Sequence, residues 1–245
     1  ERFWERSLFK ATAAKLIAER IPAMKTDEIF TIGLLQDIGH LIFAMTVPAR
    51  YDHVLNRLDS SPADLCEIDL EEELLALPHT KAGVEVARLW NLPPSMLSAI
   101  QYHHTPSLVT GADRQQNSTV RVAYLADLIT RIFYAHAPEQ FHQQFRDEAQ
   151  HLLELDAMDI QTILQTIHQE TSKAAQFFDV TISQVRPVAE IIQEANIKLS
   201  LLNLSYEEAN QQLARAKPDA SAVGAERGLR QAQPERVGET QGLRQ

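Results

Sequence analysis

Asp37, His40, His79, His103, His104 and Asp127 each stand inside an otherwise apolar, helix-like stretch. Polar side chains in such places need a hydrogen bond, an ion pair or a metal ion, because losing water uncompensated costs several kcal/mol, on the order of 2–7. Imidazole and carboxylate together suit Fe, Mn or Zn better than Ca. The run from Phe30 to Met45 is the centre of this pattern, with Gln36, Asp37 and His40 in its middle. On one continuous helix, 36 and 40 share a face and 37 and 40 are neighbours, so an Asp and a His there can share a divalent ion. The plainer reading is that Asp37 hydrogen-bonds a neighbour in the core. His103 and His104 are adjacent and point about 100° apart on a helix, so one of them is expected to face a common site. His53, His136, His142, His151 and His168 lie among polar neighbours and read as surface residues. The sequence contains no glycine-rich phosphate loop, no Ser or Cys nucleophile constellation and no paired-Cys zinc site.

Helices must hold these residues. The 245-residue chain is 44% hydrophobic and 23% charged, with 8 glycines, and strand-like alternation is nearly missing, so the expected class is all-α. A net charge of −10 argues against nucleic acid or an anionic membrane as the main partner, since both favour basic surfaces. No stretch approaches 18 uninterrupted apolar residues, so no membrane span is expected. The single cysteine, Cys66, leaves no internal disulfide, and a cytoplasmic location is expected. The chain opens at Glu1 with Phe3-Trp4 close behind, which suggests a fragment or processed chain.

Residues 2–21 have helical periodicity ending before Pro22. Thr26 or Asp27 is placed to cap the central helix, which stops before Pro48. Further helices are expected from Pro48 to about 58, at about 63–76, from Pro78 to Trp90, and from the Asn91-Leu-Pro-Pro94 turn to Tyr102-His103-His104. Residues 107–118 read as a loop, 119–135 as a mostly buried helix carrying Asp127, and 138–154 and 157–178 as helices, the second capped by Asp156. Val188, Ile192, Ala195, Leu199, Leu202, Tyr206, Ala209, Leu213 and Ala216 follow 4-3 spacing, the seam of a coiled coil. Beyond Pro218 the chain is rich in Gly, Gln and Arg, and Gly228-Leu-Arg-Gln231 recurs as Gly242-Leu-Arg-Gln245. That tail is expected to be disordered, and its repeat suggests read-through after a frameshift. The resulting division is a helical core at 1–135, additional helices at 136–186, a linker helix at 187–217 and a tail at 218–245.

Gly33-Leu-Leu-Gln-Asp-Ile-Gly-His-Leu41 resembles the Gly-Leu-Leu-His-Asp-Ile-Gly-Lys-Leu element of the HD superfamily of metal-dependent phosphohydrolases. Phe3-Trp4-Glu-Arg-Ser-Leu8, His79-Thr-Lys-Ala-Gly83, Leu89-Trp90-Asn-Leu-Pro93, Ala99-Ile-Gln-Tyr-His-His-Thr-Pro106 and Val122-Ala-Tyr-Leu-Ala-Asp127 extend the likeness to its HDOD branch of bacterial signalling domains, in family order over about residues 3–135. The resemblance implies a multi-helix HD-like bundle, a missing helical half ahead of Phe3, and a linker at 196–207 similar to those leading from HDOD domains into diguanylate cyclases.

The departures carry as much information. By the resemblance, a catalytic HD site takes one His from the first helix, a His-Asp pair from the central helix and an Asp from a later one. Here Arg6 stands for the first His and Gln36 for the second, and His40 replaces the usual Lys. Asp37 and Asp127 remain. Arg6, a permanent cation, is expected to neutralise one of them. His79 and His103 or His104 match positions used by HD enzymes with a second metal. The vestigial metal candidates are therefore Asp37, His79, His103, His104 and Asp127, with no catalytic or cofactor-binding residue expected.

The resulting expectation is a pseudo-enzyme: a non-catalytic module that senses or docks a protein partner and relays to an output domain through a C-terminal helix, with a homodimer through 188–216. No cofactor is expected. The alternative is a metal-dependent phosphohydrolase or phosphodiesterase acting on nucleotides or cyclic dinucleotides, with Mn, Fe or Zn held by Asp37, His40, His79, His103 or His104, and Asp127.

Overall fold

The computed structural model describes residues 2–60, 66–111, 113–134 and 138–181, with Gln193 and Ile197. The chain divides into two compact units, Glu1–Gln193 and Glu194–Gln245. Of the second unit only Ile197, exposed and helical, is described. The expected coiled-coil seam and the repeat-bearing tail lie outside the described residues.

The first unit is all-helical among its described residues, as its composition predicts. In chain order its helices are α1 (Arg2–Ala18), α2 (Thr26–Leu35), α3 (Ile38–Thr46), α4 (Pro48–Ser60), α5 (Glu67–Leu75), α6 (His79–Leu89), α7 (Pro94–Tyr102), α8 (Arg114–Tyr134), α9 (Pro138–Leu153) and α10 (Ala157–Phe178). A short 3-10 turn, Pro106–Leu108, lies between α7 and α8. Helix α1 is the hub, packing against α2, α8 and α10, while α8 also meets α7 and α9. Their shared core includes the fully buried Phe9, Ile17, Ile32, Leu125, Ile129, Phe145, Ile163 and Ile167. A smaller cluster of Phe43, Tyr51, Val54, Leu70 and Ala82 ties α3, α4, α5 and α6 together. The site lies between these two cores, on elements anchored by both.

The expected single helix through Phe30–Met45 is two helices. Asp37 takes φ −102°, ψ 17°, in the sparsely populated bridge region, and His40 N–H bonds back to the Asp37 carbonyl three residues earlier at 2.9 Å. Thr26–Thr46 is 21 residues long with mean hydropathy 1.5, long and apolar enough on those grounds to cross a membrane. That differs from the reading of uninterrupted runs, because the polar residues in it are few. Here the segment breaks at Gln36–Asp37 and packs on α1 and α6.

Two small residues let the backbones close around the site. A methyl on Gly39 would meet the His79 carbonyl oxygen and stand 2.6 Å from its carbon. One on Gly33 would stand 2.7 Å from the Ala11 Cα. Glycine here serves close approach rather than an unusual φ.

Three boundaries differ from the sequence reading. Lys25, not Thr26 or Asp27, occupies the N-cap of α2, and makes no side-chain cap bond. Helix α5 starts at Glu67 rather than at about 63, with 61–65 outside the described residues. Helix α8 begins at Arg114, five residues early, because Asp113 Oδ1 accepts the Gln116 N–H at 2.7 Å and caps it. The Asp156 cap on α10 is as expected, accepting from Asp159 N–H at 2.7 Å.

Candidate functional site

Helix α1 presents Leu8, Phe9, Ala11, Ala13 and Ala14 to the interior, and Lys10 goes in with them at 6% exposure. Its ammonium pairs with Asp37 Oδ2 and, at 2.6 Å, with Asp127 Oδ1. It therefore sits between the two acids that the resemblance places in a ligand set. Arg6 does not take that place: it is exposed, its guanidinium 5.5 Å over the Tyr134 ring. The neutralising cation is Lys10, one helical turn further along α1. Burying a residue on α1 selects its inward face, and that face was not separable from sequence alone. Asp127 gains a second cation, Arg131, whose Nε–H donates to Oδ2 at 2.7 Å across one turn of α8.

These charges set the protonation states. Burial would raise both carboxyls, but Lys10 acting on Asp37, and Arg131 with Lys10 acting on Asp127, hold both well below the usual range. Burial would lower the Lys10 ammonium, and the two carboxylates outweigh it and raise it instead. Gln36 is fully buried; its Nε2–H reaches the Ala123 carbonyl at 3.4 Å, while Oε1 lacks a hydrogen-bond partner.

The histidines gather on the other side of Asp37. His79 opens α6 after Pro78, as the sequence predicts, and is fully buried. Glu71, reaching over from α5, accepts the His79 backbone N–H at 2.8 Å and its Nδ1–H at 2.7 Å. That leaves the His79 Nε2 lone pair facing inward. His103 Nδ1–H donates to the Ile100 carbonyl at 3.0 Å, so its Nε2 also faces the cluster, 3.5 Å from His79 Nε2 and 3.2 Å from Asp37 Oδ1. His104 Nε2 lies 3.1 Å from His79 Nε2. Both His103 and His104 thus reach the site, contrary to the one-of-two expectation. Helix α7 ends at Tyr102, so the 100° helical offset no longer governs His104. Burial lowers His79 to about 4 and holds His104 well below the usual range, so both are neutral near pH 7.

His40 joins at one edge. Its ring stacks on His79 with centroids 4.0 Å apart, and its Nδ1 hydrogen-bonds Tyr51 OH at 2.9 Å. Burial lowers it to about 4. Asp37, His79, His103, His104 and Asp127 therefore form one connected cluster, as the sequence pattern implies. Lys10, Arg131, Tyr51, Glu67 and Glu71 were missed. Lys10 had a signal, a lone charge in an apolar stretch, and Arg131 had its i+4 spacing from Asp127. Glu71 had none, standing among other acids. His53, His151 and His168 are exposed as expected, while His142 is half-buried.

Two of the places where a metal ion could sit fare differently. Between Asp37 and Asp127 the donors do not fit one, because an ammonium already bridges both carboxylates and cannot ligate. Around His79, His103 and His104 the donors do fit. Their ligand atoms lie within 4.8 Å of one another, and their 3.1 and 3.5 Å spacings are those of atoms sharing an ion at about 2.0–2.1 Å. With His103 Nδ1–H committed to Ile100, a hydrogen or a cation is required between His103 Nε2 and Asp37 Oδ1. Glu71 orients His79 as a carboxylate behind a ligating imidazole does.

Residues 1–106 match the HDOD domain family, a shorter span than the 3–135 suggested by motifs. No curated protein matches the sequence. Among solved structures, an HDOD domain protein with unknown function from Geobacter sulfurreducens superposes with TM-score 0.57 at 22% identity, over 71% of this chain and 61% of that one. A candidate phosphohydrolase from Shewanella amazonensis gives 0.55 at 19%, over 70% and 62%. The MmoQ response regulator from Methylococcus capsulatus gives 0.52 at 25%, over 66% and 60%. This chain thus covers about six tenths of each of those relatives. Residues 1–106 thus match an HDOD domain, and the superpositions show a shared helical fold.

Proposed function

We propose that this chain is a non-catalytic signal-transduction module, in which an HD-like site has been converted into a charge-balanced structural core that relays a docking event. The observation that carries the reading is Lys10 between Asp37 and Asp127. An ammonium there supplies the positive charge an ion would bring, and offers no Lewis acid and no activated water. The likeness to a response regulator at 25% identity supports a signalling role. A protein partner or output domain is the proposed recipient, reached through the 188–216 segment, whose heptad spacing suits a homodimer. The test is elemental analysis of protein purified without chelator and then supplied with Mn, Fe and Zn, together with hydrolysis of phosphodiester and cyclic dinucleotide substrates. The expected result is no hydrolysis under any metal. Metal-dependent turnover lost in Asp37→Ala would overturn the reading. A chain that stays monomeric at high concentration in sedimentation would remove the homodimer.

The second reading, a metal-dependent phosphohydrolase, is favoured by one feature, the convergence of His79, His103 and His104 beside Asp37. Those residues would hold a divalent ion, which would supply an activated water. Turnover that falls in His103→Gln along with bound metal would select it.

A further inference from the structure

We propose that His40, Glu67 and Glu71 form a separate cation site, taking one divalent first-row transition-metal ion through an imidazole and two carboxylates. Each residue offers one ligand atom, and these atoms lie within 4.8 Å of one another. Among the described residues, Glu67 and Glu71 belong to no other such group, whereas His40 also groups with Asp37 and His79. Glu71 meets His79 through Oε2, and the atom turned toward His40 is Oε1.

Glu71 Oε1 is the observation that asks for a ligand. The Glu71 side chain is fully buried, yet this oxygen has no hydrogen-bond partner. His40 Nδ1 stands 3.3 Å from it, but that nitrogen is engaged by Tyr51 OH. A buried carboxylate oxygen left unpaired is costly, and a cation removes the cost. Glu67 adds to the demand. It precedes Glu71 by one turn on the same face of α5, where two ionised carboxylates repel unless a cation or a proton lies between them. Among the described residues, the ion pairs of Glu67 and Glu71 are with His40 and His79 alone. Lys81, the nearby cation on α6, is committed to Glu72 on the outer side.

The donors are also held for the task. His40 is fixed by stacking on His79 and by Tyr51, and Glu71 by the two His79 N–H bonds. Glu67 Oε1, 3.7 Å from His40 Nε2 on a side chain 29% exposed, is the adjustable ligand and faces the solvent entry. Two carboxylates with one imidazole select Mn2+, Fe2+ or Zn2+ over Mg2+ or Ca2+. This site stands whether or not the signalling reading does.

The experiment is a titration of the full chain with Mn2+, following loss of the free-ion electron paramagnetic resonance signal, in wild type, Glu67→Gln, His40→Gln and His104→Gln. One Mn2+ per chain is expected in wild type and in His104→Gln, with affinity weakened roughly tenfold or more, about 1.4 kcal/mol, in Glu67→Gln and His40→Gln. Far-UV circular dichroism checks folding; should His40→Gln unfold, the partly exposed Glu67→Gln carries the test. No uptake at millimolar Mn2+, or Glu67→Gln binding like wild type, would overturn the proposal. Binding lost in His104→Gln but kept in Glu67→Gln would assign the ion to the histidine cluster and overturn it as well.

Discussion

Replacing Lys10 with Met removes the ammonium while keeping the length of the buried stem. Two carboxylates, with side-chain exposures of 9% for Asp37 and 6% for Asp127, then lose the cation they share. Breaking a buried pair by deleting one partner costs about 3–5 kcal/mol, because the remaining charge is stranded. Asp127 keeps Arg131, so the loss falls mainly on Asp37 and the lower end, about 3 kcal/mol, is expected. For a unit of this size that is a fall of roughly 6–12 °C in melting temperature. The pH dependence carries a sign. In wild type the depressed Asp37 and Asp127 values contribute stability that is present above the ordinary carboxyl range and lost as pH falls through the folded values. In Lys10→Met, burial without a cation raises Asp37, so its penalty is relieved on acidification. The gap between wild type and variant should therefore shrink from pH 8 to pH 4.5. Urea melts at both pH values, with Asp37→Asn and the double variant completing a cycle, measure it. Asp37→Asn in the Lys10→Met background should restore stability, since it removes the stranded charge. A loss under 1 kcal/mol, or a gap that does not change with pH, would refute Lys10 as the bridging charge.

Gly39→Ala should be among the most damaging single-methyl changes, because the added carbon meets backbone at the start of α6 rather than a movable side chain. A loss of about 3 kcal/mol or more, or failure to fold, is expected in thermal melts, whereas Gly111→Ala, with open space around it and φ +70°, should lose only about 1 kcal/mol from backbone strain. Equal effects would contradict the close-approach argument. Acidification should also destabilise wild type through the imidazoles: His40 and His79, lowered by burial to about 4, must charge, so stability falls as pH drops from about 6.5 to 4. Glu71, pushed up by burial to about 7, opposes this, since its folded form holds a proton that the unfolded form releases above about 4.5. Glu71→Gln should therefore steepen the acid loss, read as a larger difference in urea midpoint between pH 6.5 and pH 4.5; an unchanged or shallower slope would count against that assignment.

How much of this was legible beforehand differs from residue to residue. Periodicity, Pro and Gly placement gave the all-helical class and the start of α6 at His79, because those signals are local. The motif Gly33-Leu-Leu-Gln-Asp-Ile-Gly-His-Leu41 pointed to the buried polar cluster, and Gln36 stands where the resemblance puts a histidine. Local spacing misled at Phe30–Met45, where the chain turns at Asp37 to aim its carboxylate inward, a choice made by packing against α1 and α6. It misled again at His103-His104, since no local rule says that α7 ends before them. Which cation pairs with the two acids was beyond reach as well: Arg6 and Lys10 both lie on α1, and only the contact of that helix with α2 and α8 decides which one is buried between Asp37 and Asp127. Glu71 is the extreme case. Nothing in an acidic stretch distinguishes the one carboxylate that caps α6 and orients His79 across a gap of eight residues. Sequence determines what is set by neighbours along the chain, namely helix type, caps and the identity of charged groups. Tertiary structure decides pairing and burial, because the energy of a buried charge depends on which distant group reaches it.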